Sequence, residues 1–466
     1  MSVPKIRPLL ILFLLYVLMF WSDLAAYRPG MDSMTYGALA KHMVETGDWA
    51  TPHYTSQAYA NFFQHPPFGL WMMAFVMKIF GSTEDWVLKL LPAVIAGICA
   101  LGVYLWGRRI RGESFAFLAT LILLTSTRFA KYSKGFMLDP FLATFSFWSV
   151  FLACLARKDP KRSWWLSIVS GLVLAAAFLS KGLFAFAPLA VILLVFGADI
   201  VRTGHGRGRA LLFLLGLAAP IGIWFAVGGA PNYLAHYYSE HVSDRIGPHP
   251  FIDHLAPLIN LGKVYWPWLP FLGIGTYRAT KDLRDLEKRE ESAILLTTLA
   301  FIGGFCLVAS FLEQYHTATY TFAALITAMG IPVAWEKYRP GIENVLLVLA
   351  TGFVIYLAAR PYEMQGTEHK NPIRSVLKNV REACDDPGIK RISISTGIAE
   401  IWYALAIGSW YTTFDVHSGP PSESPETSGA QLLLANANDI LGTGWYSTGI
   451  TYEGLTLYRA IQVKCR

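Results

Sequence analysis

Apolar runs of about 20 residues alternate with short polar loops through the first three quarters of the chain, a length that crosses a hydrocarbon core of roughly 30 Å as a helix. The runs predict spans near 8–26, 86–106, 113–130, 136–156, 163–180, 182–201, 210–227, 255–276, 292–312, 317–335 and 342–359. Two shorter helical patterns separate the first two spans. In residues 31–47, Met34, Leu39, Met43 and Val44 are expected to bury against the membrane, while Lys41, His42 and Glu45 face water. The apolar part of HPPFGLWMMAFVMKIFG (65–81) is short for a crossing and is expected to lie in the outer interface. Counting it as a span would reverse every later loop.

The pattern changes in the last hundred or so residues, where long apolar runs stop and Gly, Ser and polar residues rise. RSVLKNVREAC (374–384) and EIWYALAIG (400–408) read as helices. RISIST (391–396), SWYTTF (409–414) and LTLYRAIQV (455–463) read as strands, and GPPSESPETSG (419–429) as loop. The expected fold is an all-α polytopic membrane protein with a small C-terminal α/β domain. The expected domains are 1–360 in the membrane and 361–466 outside it.

Composition supports this class. The chain is 54% hydrophobic and 15% charged, with a mean hydropathy of +0.40, too apolar for a soluble domain of this size. The strands of about ten residues typical of an outer-membrane barrel are missing from the pattern. The net charge of +7 is explained by basic loops. GRRIRGE (107–113), RKDPKR (157–162), RTGHGRGR (202–209), YRATKDLRDLEKRE (277–290) and EKYRPG (336–341) all fall on one side, which makes that side cytoplasmic. Nucleic acid is therefore not an expected partner; membrane lipids are. No Walker, Rossmann or kinase signature is present. Lys5 and Arg7 before a long apolar run read as an uncleaved first helix. Cys99, Cys154 and Cys306 fall in apolar spans, whereas Cys384 and Cys465 lie in the polar tail and can pair if it is extracytoplasmic.

With that orientation, most residues capable of chemistry gather on the outer side. Asp32 follows Pro29-Gly30 and precedes a helix, so it is either an N-cap or a general base. Asp139, before Pro140, has the same capping alternative. Arg128, Lys131 and Lys134 precede it and can neutralise a phosphate or bind anionic headgroups. Lys181-Gly182 lies between two apolar runs, as a snorkelling lysine or a phosphate cation. NYLAHYYSEHVSDRIGPHPF (232–251) places His236 with Glu240, and His241 with Arg245, at helical i,i+4 spacing, with His249 beyond. Two His and a Glu can bind zinc, but no compact metal motif is present, and contacts to sugar hydroxyls or lipid phosphate are the expectation.

These segments resemble the GT-C membrane glycosyltransferases. The resemblance rests on the acid after the first span, the helix ending GDW (47–49), HPPFG (65–69), LLPAVIAGICALGVYLWGRRIRG (90–112), SKGL (180–183), the 232–251 loop and VYWPWLP (264–270), in that order. The branch is that of the bacterial aminoarabinose lipid A transferases, related to the protein O-mannosyltransferases. The resemblance implies an inner-membrane enzyme with its site on the periplasmic side. A sugar passes with inversion from a polyprenyl-phosphate donor to a hydroxyl or phosphate of a lipid, glycan or protein acceptor. It implies Asp32 as the base, and His65 and Lys181, with Arg128 or Lys131, at the donor phosphate; Asp139, His241, Arg245 and His249 are expected near acceptor or sugar from the residues themselves. No cofactor is implied; Asp32-Ser33 stands where many relatives carry Asp-Glu, which argues against a two-carboxylate metal site and leaves a divalent cation as the alternative. The rival class is a flippase for polyprenyl-linked glycans, which would gather its determinants near the bilayer midplane.

Overall fold

The structure is a computed structural model, and it describes residues 6–21, 29–53, 62–159, 161–203, 206–227, 230–238, 250–282, 289–308, 311–331, scattered residues between 344 and 384, 389–398, 401–412, 414–452, 454–461 and 463. In chain order the helices are α1 (Ile6–Phe20), α2 (Met31–Thr46), α3 (Phe68–Phe80), α4 (Val87–Arg111), α5 (Glu113–Thr125), α6 (Thr127–Ser133), α7 (Asp139–Lys158), α8 (Ser163–Lys181), α9 (Phe186–Thr203), α10 (Gly206–Val227), α11 (Ala230–Tyr237), α12 (Phe251–Val264), α13 (Leu269–Asp282), α14 (Arg289–Cys306), α15 (His316–Gly330) and α16 (Ile401–Tyr411). The strands are β1 (Arg391–Ser395), β2 (Asp415–Gly419), β3 (Leu432–Asn436), β4 (Trp445–Tyr452) and β5 (Leu455–Ala460). The chain divides into two compact units. The first holds Met1–Ala25, Phe63–Gly69 and Lys89–Pro361; the second holds Ala26–Phe62, Leu70–Leu88 and Tyr362–Arg466.

The first unit is a multi-pass membrane bundle. Among the described residues, four helical runs are long and apolar enough to cross a membrane, or five if the bent α5–α6 pair is one span. One of them, Ser163–Gly197, has 35 residues and joins α8 to α9 through a 3-10 turn. At 1.5 Å per residue its length exceeds one crossing. Of the other expected spans, 8–26, 292–312 and 317–335 contain shorter helices, and most of 342–359 lies outside the described residues.

Two expected spans depart from continuous helices. At Ser126 the α5–α6 pair bends by 66°. There the Thr125 and Ser126 hydroxyls donate back to the Leu121 and Ile122 carbonyls, both at 2.7 Å, a pairing that competes with the helical ladder. The 255–276 span is two helices, α12 and α13, parted by a 3-10 turn at Trp266–Trp268. Pro267 supplies no amide to the ladder and its ring clashes with a helical carbonyl one turn earlier.

Small residues let these helices approach. Ser149 and Ser170 donate to each other's carbonyls between α7 and α8, both at 2.8 Å. A Cβ on Gly171 of α8 would meet the Phe213 carbonyl of α10, and one on Gly216 the Ile168 carbonyl. With lipid on both sides of the comparison, such packing and hydrogen bonding hold helices together.

The second unit contains a five-stranded sheet of order β2-β1-β3-β5-β4. The first three strands are parallel, and β5 runs antiparallel to both β3 and β4. Ile392, Ile394, Leu432 and Leu434 are fully buried along the central strands, and Ser393, Ser395 and Leu433 on the opposite face are buried as well, so these strands are covered on both faces. Helix α16 connects β1 to β2. SWYTTF (409–414), expected as a strand, instead ends this helix at Tyr411, and β2 begins at Asp415. Its aromatic residues anchor the helix end, with Trp410 and Tyr411 both donating to the Asp85 carboxylate at 2.9 and 3.0 Å. Cys384 is disulfide-bonded; Cys465 lies outside the described residues.

Helix α2 belongs to this unit and packs on α16. Lys41 does not face water as expected. It is 4% exposed and donates to the carbonyls of Ser409, Trp410 and Thr412. The helical period placed Lys41 on a polar stripe with His42 and Glu45; Glu45 is exposed and His42 half-buried, but Lys41 is covered by the end of α16.

Candidate active site

The first unit contains a cavity of about 270 Å³ with mostly apolar walls, among them Leu183, Phe184, Phe301 and Phe305. His65 and Lys181 contribute its ionisable side chains, and Tyr237 and Tyr315 its phenols. The chain geometry that brings Lys181 there is local. Lys181 ends α8, and Gly182 follows at φ +69°, a conformation L side chains rarely adopt. A Cβ at Gly182 would also lie 2.7 Å from the Tyr233 hydroxyl.

Lys181 is nearly excluded from solvent and pairs with Asp139, Nζ to Oδ2 2.5 Å. Its ammonium also lies 5.1 Å from the centre of the Tyr315 ring, within cation–π range. Asp139 is itself buried. It is not the helix N-cap: Leu138 takes that place, and Asp139-Pro140 form the first turn of α7. There the helix dipole favours a carboxylate. Asp139 Oδ1 makes no hydrogen bond among the described residues. The two expected roles, a phosphate cation at 181 and a sugar or acceptor contact at 139, therefore meet in one ion pair beside an apolar cavity.

A second cluster lies in the same unit. Arg128 holds Glu313 with two nitrogens, Nη1 to Oε2 3.0 Å and Nη2 to Oε1 3.1 Å. Tyr132 and Asn260 donate to the same carboxylate at 3.1 and 3.3 Å. Such a fork is the geometry in which Arg binds two oxygens of a carboxylate or of a phosphate. Lys131 is exposed and lies over the Tyr132 ring at 5.1 Å. Lys134, in the loop between α6 and α7, is buried, and burial pushes its ammonium down to about 8.

Asp32 lies in the second unit, half-buried in the first turn of α2. The N-cap alternative is corrected here too, since Gly30 occupies that position without a side-chain cap. His241, Arg245 and His249 lie outside the described residues, as does Glu240. Two further histidines meet backbone carbonyls: the His254 ring nitrogen is 2.9 Å from the Cys306 carbonyl, and a ring nitrogen of buried His316 is 2.8 Å from the Pro257 carbonyl. Among the described residues, no group of three His, Cys, Asp or Glu is gathered as a metal site.

Sequence reasoning missed Glu313 and Tyr315. The signal was present: FLEQYH places a carboxylate and a phenol between apolar spans at the level assigned to the cations. No motif marks either residue as functional.

Residues 64–224 match the family described as dolichyl-phosphate-mannose-protein mannosyltransferase. An undecaprenyl phosphate-alpha-4-amino-4-deoxy-L-arabinose arabinosyl transferase of Pseudomonas fluorescens is 25% identical over 379 residues, covering 77% of this chain and 65% of the relative. One from Proteus mirabilis is 29% identical over 289 residues, covering 57% of this chain and 48% of the relative. The matches thus span about half to two thirds of these relatives. ArnT from Cupriavidus metallidurans, solved with undecaprenyl phosphate, superposes with a TM-score of 0.74 at 14% identity, covering 97% of this chain and 98% of that one. The archaeal oligosaccharyltransferase AglB from Archaeoglobus fulgidus, solved with dolichol-phosphate and an inhibitory peptide, gives 0.56 at 14% identity, covering 93% and 70%.

Proposed function

We propose that this chain, a member of the GT-C membrane glycosyltransferases by fold and by sequence relationship, transfers a sugar from a polyprenyl-phosphate donor to an extracytoplasmic hydroxyl or phosphate acceptor. The observation that carries the reading is the cavity in which His65 and Lys181 stand among aromatic and aliphatic walls. A polyprenyl phosphate has that polarity: an apolar chain that gains from leaving water and an anionic head that needs cations. The names of the relatives, and undecaprenyl phosphate in the ArnT structure, agree with this chemistry.

In the reaction the acceptor oxygen attacks the anomeric carbon, the bond from that carbon to the phosphate oxygen breaks, and polyprenyl phosphate leaves with the bonding pair. A single displacement inverts the configuration. Asp32 takes the acceptor proton. Lys181, with His65, Arg128 and Lys131, neutralises charge gathering on the leaving phosphate. Asp139, His241, Arg245 and His249 contact the sugar or acceptor. The catalytic domain is 1–360 in a bacterial inner membrane, and 361–466 is periplasmic. The disulfide at Cys384 supports an oxidising compartment for that domain, and the basic loops on the opposite side support the orientation.

The test is turnover by the purified full-length protein. A panel of undecaprenyl-phosphate-linked sugars is offered with lipid A, core saccharide and peptide acceptors, and release of free undecaprenyl phosphate is measured. Acceptor-dependent release is expected for at least one pair. Translocation of the donor across proteoliposomes without release would replace the reading with a flippase.

A further inference from the structure

Helix α2 carries Asp32 in its first turn and Lys41 nine positions later. Nine residues are two and a half turns, so the two side chains leave opposite faces about 13.5 Å apart along the axis. The Lys41 face is fixed. Its ammonium meets three carbonyls at the end of α16, Ser409 and Trp410 at 3.0 Å each and Thr412 at 2.6 Å. These are carbonyls that a helix end leaves without partners, at the negative pole of its dipole. An ammonium has three donors, and each meets one of them, in a position 4% exposed.

Two further contacts hold the same helix end. Asp85 accepts from Trp410 Nε1 and the Tyr411 hydroxyl. At Gly37, one turn before Lys41, α2 comes so close to its neighbours that an added Cβ would lie 2.8 Å from Leu88 and 3.2 Å from Trp410. Trp410-Tyr411-Thr412 is thus gripped by Lys41 and Asp85, two residues from the first ninety of the chain.

We propose that Lys41 is a positioning residue for the transfer reaction, locking the helix that carries Asp32 to the C-terminal α/β fold. The inference rests on the reading of Asp32 as the proton acceptor. It makes the C-terminal domain part of the catalytic apparatus: the sheet holds α16, the end of α16 holds Lys41, and Lys41 fixes the rotation of α2 and hence the direction of Asp32. A general base works only within hydrogen-bond reach of its proton, so a small rotation of α2 costs turnover more than binding.

The experiment uses the full-length protein with Lys41→Met, Lys41→Arg and Tyr411→Phe. Turnover is followed by undecaprenyl phosphate release, and hydrogen exchange reports residues 31–40 and 404–412. Lys41→Met is expected to lower kcat on the order of 10- to 100-fold with the donor KM within about twofold, and to lose protection in both segments together. Lys41→Arg keeps a cation with several donors and is expected to recover most of kcat. Tyr411→Phe removes one hydrogen bond on the Asp85 side, leaves the protein folded, and is expected to show a smaller loss of the same kind. Unchanged kcat and unchanged protection at 31–40 in Lys41→Met would overturn the proposal, as would an equal loss in Lys41→Arg. Where Lys41→Met does not fold, an unaltered kcat in Tyr411→Phe overturns it. Full activity in Asp32→Asn would instead remove the base, and the exchange data would still decide whether Lys41 locks α2.

Discussion

Lys181 and Asp139 form an ion pair at 2.5 Å, with side chains 5% and 2% exposed, at the end of α8 and the start of α7. Two charges so placed are stable only together. Removing one leaves an uncompensated buried charge, at a cost of about 3–5 kcal/mol, whereas replacing both with apolar groups is near neutral. Asp139→Ala is expected to lower thermal stability by that order, and Asp139→Leu with Lys181→Met to restore most of it. Undecaprenyl phosphate binding should be weakened in every variant lacking Lys181, including the restored one. A double variant that is stable and binds the lipid normally would confine the pair to a structural role.

Asp32→Asn keeps the size of the side chain and removes its basicity. Turnover is expected to fall about 10²- to 10⁴-fold, the usual contribution of a general base, with donor affinity and thermal stability unchanged. The measurement is kcat beside equilibrium binding of undecaprenyl phosphate. A loss confined to binding would assign Asp32 to the donor instead.

Gly182 combines a left-handed backbone with a close approach to Tyr233. Gly182→Ala is expected to destabilise by about 1–3 kcal/mol and to displace Lys181, lowering lipid affinity. Adding Tyr233→Phe removes the hydroxyl that the new Cβ meets and should recover part of the loss, the backbone share remaining. Thermal unfolding and lipid binding on the single and double variants separate the two.

Lys134 is buried and its ammonium is pushed from the ordinary 10.5 down to about 8 by loss of solvent. The unfolded chain therefore holds more protons between these values, and this group makes stability rise with pH through that window. Below pH 8 the cost is full and of order 3 kcal/mol. Lys134→Met is expected to raise the unfolding temperature at pH 7 and to flatten its rise from pH 8 to 10. A lower unfolding temperature in the variant at pH 7 would show that the charge is satisfied.

The membrane class was legible because α4, α7, α8 and α10 are long and apolar, and hydropathy needs no tertiary information. Lys181 was legible as a candidate for a local reason, a cation between two apolar runs. What escaped was set by tertiary partners. Lys41 looked solvent-facing because its acceptors lie more than 360 residues away on α16. SWYTTF looked like a strand because it is rich in aromatic residues and threonine, yet Asp85 holds Trp410 and Tyr411 as a helix end. Asp139 was legible as functional or capping, but its partner, 42 residues on, depends on how α7 and α8 pack. Glu313 carried no motif at all.

Arg128 was expected at a phosphate and is held by a carboxylate. Glu313 occupies its fork, and Tyr132 and Asn260 hold Glu313 in place. An anion reaching Arg128 must displace Glu313 or add its charge beside it. Glu313→Gln keeps the size of the side chain and removes the negative charge, at the loss of one of the two oxygens that accept from Arg128, Tyr132 and Asn260. If Arg128 serves the donor phosphate, undecaprenyl phosphate affinity should rise severalfold in this variant, with a steeper loss at high salt, since one more uncompensated cation faces the anion. Arg128→Gln should lower affinity, and the two changes together should fall between. Titration of the lipid at low and high ionic strength gives all three values. Affinity indifferent to both substitutions would make the Arg128–Glu313 fork a fastening between α6 and the start of α15, and leave the phosphate to Lys181 and His65.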